Sequence, residues 1–125
     1  MKVYVAAAWS ERALARIRAE QLARAGHHVT SRWLLDEYSS ESHSEAQRAE
    51  WDLEDVDRSD ALVLLTMALG AMFSSGGRMV ELGYALGRGT KVIVLGPREN
   101  IFCYLPQVVQ CETVDDLLCK LGRDP

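Results

Sequence analysis

The stretch DALVLLTM, residues 60–67, decides the fold. After its aspartate comes an apolar run with none of the polar–apolar alternation of a strand that has one wet face. Such a run reads as a strand buried on both sides, the habit of parallel sheets covered by helices. TKVIVLG (90–96) repeats the pattern, and Pro97 ends it. Between the two lie a loop, ALGAMFSSGG (68–77), and a helical segment with a glycine stop, RMVELGYALGRG (78–89). Strand, helix and strand in that order make one parallel crossover unit.

Working outward, the same alternation continues in both directions. Upstream, SEAQRAEWDLEDVDRS (44–59) fits a helix with Ala46, Ala49, Leu53 and Val56 on one side. DEYSSESHSE (36–45) is a polar, serine-rich loop, and HHVTSRWL (27–34) a second strand. SERALARIRAEQLARAG (10–26) is a helix with Ser10 as N-cap, Gly26 as stop and Leu14, Ile17 and Leu22 on its apolar face; KVYVAAAW (2–9) is the first strand. Downstream come a short segment through NIFCYLP, an edge strand at VVQC (108–111) and a closing helix, ETVDDLLCKLG (112–122). The expected architecture is a single α/β domain over residues 1–125: a flavodoxin-like or Rossmann-like three-layer sandwich, its five-stranded, mainly parallel sheet ordered 2-1-3-4-5. Ligands of such sheets bind beyond the carboxyl ends of the strands, here AAAWS, TMAL and GPREN.

Composition removes several function classes. The 125 residues are 48% apolar and carry a formal charge of −4, against a general binder of nucleic acid polymers. No stretch approaches the ~20 apolar residues that cross a bilayer, and the N-terminal apolar run is too short for a signal peptide. An odd set of cysteines without a CxxC pair, Cys103, Cys111 and Cys119, fits reduced thiols in a cytoplasmic protein. His27, His28 and His43 lack metal-ligand spacing, so no metal site is expected. The first strand exits into AAAWSE rather than GxGxxG, no GxxxxGK[ST] loop occurs, and the acidic residues of a phospho-receiver are missing after that strand. SSGG (74–77) could cradle an anion through serine hydroxyls and helix-start N–H groups, although Gly-Gly turns also arise for local reasons.

Glu81 is the residue that calls for an explanation. Met79, Leu82, Gly83 and Leu86 share a stripe expected to face the sheet, which puts Glu81 on the opposite side. Val80, Tyr84 and Ala85 surround it there, so the helix is apolar nearly all round and is expected to be covered on both sides. A carboxylate under partly apolar cover needs a partner or a chemical task. Pattern alone leaves a surface glutamate and a functional one both open.

The run SGGRMVELGYALGRGTKVIVLG (75–96) resembles the signature of the nucleoside 2-deoxyribosyltransferase family and of the related nucleoside 5'-monophosphate N-glycosidases. VYVAAAW (3–9) is similar to that family's first strand, and WDLEDVDRSDALVLL (51–65) to its helix-to-strand passage. The resemblance implies that Glu81 is the nucleophile attacking the anomeric carbon, that Tyr4 orients it, and that Asp52 handles the leaving base. Trp9 would form a stacking wall for that base. Each has a plainer alternative: a core tyrosine, a solvated charge in an acidic run, a packed tryptophan. Ser75, Gly76 and Gly77 would hold the sugar's 5' end, with Arg78 or Arg98 adding charge and Asn100 a candidate for completing the site. Serines at 74 and 75, where transferases of free nucleosides tend to carry an acid, suit a 5'-phosphate.

The resemblance therefore implies cleavage of the N-glycosidic bond of a 2'-deoxynucleoside or its 5'-monophosphate. The sugar would pass to another nucleobase or to water, with no cofactor and no metal. Hydrolysis of a monophosphate is the close alternative, and a catalytically silent nucleotide-binding module the third. Its partners would be a nucleoside or nucleotide and a nucleobase, and a homodimer or higher homo-oligomer is expected.

Overall fold

In the computed structural model, which describes residues 1–67 and 76–122, the apolar run after Asp60 becomes the centre of the sheet. Strand β3 (Ala61–Leu65) is buried at every position. It pairs in parallel with β1 (Lys2–Ala6) on one side and β4 (Lys91–Leu95) on the other. Strands β2 (His28–Val29) and β5 (Val108–Cys111) close the edges, giving the order β2-β1-β3-β4-β5. One rung runs Val5, Val63, Ile93, Val109, so β-branched side chains stack across four strands.

Helices α1 (Arg12–Arg24), α2 (Glu45–Asp57), α3 (Gly77–Gly87) and α4 (Val114–Leu121) connect or close the strands. Ser44 Oγ caps α2 by accepting from the Gln47 N–H at 3.1 Å, and Thr113 caps α4 in the same way through Asp116. Ser10 does not cap α1. It sits in a 3-10 turn (Trp9–Glu11), and the N-cap position falls to Glu11 without a side-chain bond.

The second strand is also shorter than its sequence suggests. After Val29 the chain turns through a 3-10 segment (Arg32–Leu34), because Arg32 reaches Asp55 with both its backbone N–H and Nε at 2.9 Å. The serine-rich segment after it is not wholly loop. A 3-10 turn (Asp36–Ser39) buries Tyr38.

The helices face the sheet differently from their apolar patterns. In α1, Ala15 and Leu22 are buried while Leu14 and Ile17 are exposed. In α2, Asp55 and Val56 go inward and Ala46 and Ala49 outward. In α3 the buried stripe is Arg78, Glu81, Leu82 and Ala85, about one residue round from the expected one. The cause is common to α2 and α3: their inward charges find partners, which offsets the desolvation that would otherwise turn them to water.

Candidate active site

The order of the sheet reverses direction between β1 and β3, and a cleft of about 200 Å³ opens beyond their carboxyl ends. Small residues at the exit of β1, Ala7 and Ala8, leave room for it. Glu81 from α3 and Asp52 from α2 form its acidic floor; Trp9, Trp33 and Tyr38 form a wall; Gly76, Gly77 and Arg78 form the opposite rim.

Glu81 is only 8% exposed. Tyr4, fully buried in β1, donates its hydroxyl to Glu81 Oε2. Asp52 is held differently: the Tyr38 hydroxyl donates to its Oδ2 at 2.9 Å, while Oδ1 is buried with no donor on it among the described residues. Burial raises both carboxyls, Glu81 to about 8 and Asp52 to about 6. The Tyr4 hydrogen bond opposes the rise at Glu81 and the Tyr38 bond opposes it at Asp52. The neighbouring Asp52 carboxylate raises Glu81 further, so Glu81 holds its proton more tightly than Asp52 does. Burial beside these acids pushes the Tyr4 and Tyr38 phenols well above their ordinary value, so both stay protonated donors.

Trp9 stands 54% exposed on the wall, which leaves its face open to a planar ligand. It packs against Trp33 and Tyr38 with ring centroids 6.3 Å away in each case, and the Arg12 guanidinium lies 4.6 Å over it. Trp33 is pinned by its Nε1–H to the Val5 carbonyl at 2.8 Å.

The rim carries a buried ion pair. Arg78, 7% exposed, donates through Nη2 to Glu99 Oε2 at 2.7 Å, while its Nε and Nη1 have no partner among the described residues. Glu99 also accepts from the Met67 N–H, which joins the exit of β3 to the exit of β4. The helix-start glycines permit this rim: Gly76 has φ +90 ahead of α3.

The structure thus brings Glu81, Asp52, Trp9, Gly76 and Gly77 to one cleft, with Tyr4 bonded beneath it. It does not bring Asn100 there. That side chain accepts from the Phe102 N–H at 2.9 Å and lines a separate apolar groove with Met79, Leu82 and Leu86. Arg98 packs over Tyr104 and is no part of the lining, and Ser75 lies outside the described residues. Tyr38, Trp33 and Glu99 escaped the sequence reading. Glu99 alone left a signal, since GPREN was among the segments expected at the carboxyl edge. Among the described residues no cluster of three or more His, Cys, Asp or Glu could hold a metal, and no helix is long and apolar enough to cross a membrane.

Neither a protein-family model nor a curated protein sequence matches this chain. Solved structures match its fold over nearly the full length. A CMP N-glycosidase of Clostridium botulinum is 19% identical with a TM-score of 0.61, over 97% of this chain and 98% of its own. A 2-deoxyribosyltransferase of Bacillus psychrosaccharolyticus is 20% identical with a TM-score of 0.71, over 99% and 93%. A conserved protein of Enterococcus faecalis V583 is 17% identical with a TM-score of 0.70, over 97% and 96%. At these identities the likeness is one of fold.

Proposed function

We propose that the protein is an enzyme that cleaves the N-glycosidic bond of a 2'-deoxynucleoside or its 5'-monophosphate through a covalent deoxyribosyl-Glu81 intermediate. The observation that carries this reading is the pair of buried carboxyls, Glu81 and Asp52, each held by a tyrosine hydroxyl in one cleft beside an accessible tryptophan. The fold shared with a 2-deoxyribosyltransferase and a CMP N-glycosidase agrees with it.

In the first half-reaction Glu81 attacks the anomeric carbon while Asp52 protonates the departing base, whose electron pair leaves with its ring nitrogen. Tyr4, donating to one Glu81 oxygen, leaves the other to attack. In the second half-reaction another nucleobase or water attacks the same carbon from the opposite face, and the Glu81–sugar bond breaks. Two displacements give net retention, and splitting one oxocarbenium-like barrier into two is the advantage of a nucleophilic carboxylate. A pair that keeps one proton between two carboxyls near neutral pH has the composition this division of labour needs. Trp9 stacks on the base.

A second reading, hydrolysis of a 5'-monophosphate, is favoured by Arg78. Its buried Nε and Nη1 need acceptors, and a phosphate held at the α3 N-terminus by Gly76 and Gly77 would supply them. Glu99 already neutralises that arginine through Nη2, so Arg78 would contribute direction more than net charge. On this reading Ser75→Asp impairs monophosphates more than nucleosides.

The test is chromatographic: wild-type protein with each deoxynucleoside and each monophosphate, with and without a second free base. Base exchange identifies a transferase. Free base and deoxyribose 5-phosphate, indifferent to added base, identify a hydrolase. Nucleotide binding without any product contradicts the enzymatic reading and leaves a binding module.

A further inference from the structure

The proposed cleavage, on which this inference rests, needs the Asp52 proton on the oxygen that faces the leaving base; we propose that Tyr38 is the positioning residue that fixes it there. Tyr38 lies in the 3-10 turn at Asp36–Ser39, its ring stacked on Trp9 and tilted against Trp51 at 6.4 Å. Arg48, one helical turn before Asp52 on α2, clamps that turn. Its Nε donates to the Tyr38 carbonyl at 2.9 Å and its Nη2 to the Ser40 carbonyl at 3.0 Å. The clamp presents the phenol to Asp52 Oδ2.

A carboxylic acid accepts through its carbonyl oxygen, because its hydroxyl oxygen is the weaker acceptor. The phenol, itself a committed donor, therefore makes Oδ2 the carbonyl oxygen and leaves Oδ1 to carry any proton. Among the described residues no donor satisfies the buried Oδ1, and Glu81 lines the same cleft as the Asp52 carboxyl. In the free protein Glu81, raised further than Asp52, holds the proton of the pair. As positive charge develops on the sugar, Glu81 gives up that proton to Oδ1 and forms the carbon–oxygen bond. Oδ1–H then protonates the base nitrogen, which takes the electron pair of the broken carbon–nitrogen bond. Asp52 is left as a carboxylate, still bonded by Tyr38. In the second half the incoming water or base returns a proton to Oδ1, and the bonding pair returns to Glu81.

Tyr38→Phe keeps the ring and removes the donor. The experiment compares kcat/KM for 2'-deoxyguanosine with that for its N7-methyl derivative, whose base is already cationic and leaves without protonation. The expected result is a loss of about tenfold or more on the unmodified nucleoside and less than about twofold on the methylated one. Arg48→Met, which releases the clamp, gives the same selectivity in milder form and stands in if Tyr38→Phe does not fold.

The groups facing Asp52 are Tyr38, Arg32, Asp55, Glu81 and Tyr4. With the others unchanged, loss of the Tyr38 donor raises Asp52 and moves the acid limb of the pH profile to higher pH. Equal losses on both substrates, or none on the unmodified one, overturn the assignment of Tyr38 alone. A wild type that releases no base from any 2'-deoxynucleoside or 5'-monophosphate overturns the cleavage reading, and this inference with it.

Discussion

At the scale of the residue, the site is an arrangement of acids kept where water would not keep them. Glu81 is raised to about 8 and Asp52 to about 6, and under the proposed mechanism the singly protonated pair is the competent form. The profile of kcat/KM against pH should be a bell with limbs near those values, and a flat profile between pH 5 and 9 would contradict the shared proton. Asp52→Asn should lower kcat/KM by about 10²-fold or more, with the methylated substrate again the least affected.

The same burial has a consequence for stability. The folded-state value of Glu81 lies above its unfolded value, so the folded protein binds the proton more tightly. The Glu81 contribution to stability is full below about pH 4 and is lost as pH rises through about 8. Glu81→Gln removes the buried charge, and an amide oxygen can still accept from Tyr4. Thermal melts should show the variant more stable than wild type, by more at pH 8.5 than at pH 5; a difference independent of pH would contradict the raised value.

At the scale of the element, strands were far more legible than helix faces. β3 and β4 announced themselves because a strand buried on both faces needs nothing but apolar side chains. The phases of α2 and α3 were not legible. Apolar periodicity assumes that charge turns outward, and here Asp55, Arg78 and Glu81 turn inward to partners distant in sequence. Tyr38 was hidden for a related reason: its segment reads as polar loop, and its burial depends on Arg48 and Trp51. Asp52, Tyr4 and Trp9 were found through a resemblance; Glu81 stood out by its apolar surroundings, and the resemblance supplied its role.

Two element-scale expectations follow from these contacts. Asp55 is wholly buried and bonded to Arg32 and Arg58, so Asp55→Ala should destabilise by about 3–5 kcal/mol, measured by urea unfolding. Gly96, at the exit of β4, has φ +121, and a Cβ there would meet Thr66 Oγ1 at 2.4 Å. Gly96→Ala should lower stability by about 1–3 kcal/mol, and an unchanged unfolding midpoint would contradict the constraint.

At the scale of the whole molecule, one topological fact gathers the site. Placing β1 and β3 side by side while their connections run to opposite sides opens the crevice into which α2 and α3 deliver one carboxylate each. Outside the cleft, Val80, Ile101, Phe102 and Tyr104 are exposed apolar residues on α3 and the segment after β4. The homo-oligomer expected from the resemblance would use such a face. On that expectation Phe102→Asp shifts the sedimenting species towards monomer, and an unchanged distribution removes this face from the interface.

The central claim is that Glu81 breaks the N-glycosidic bond. It is tested most directly by following free base released from one substrate by wild type and by Glu81→Gln, at equal concentration and with matching circular dichroism. The account expects release by wild type and a loss of at least ~10³-fold in the variant. Comparable release by both proteins would contradict it.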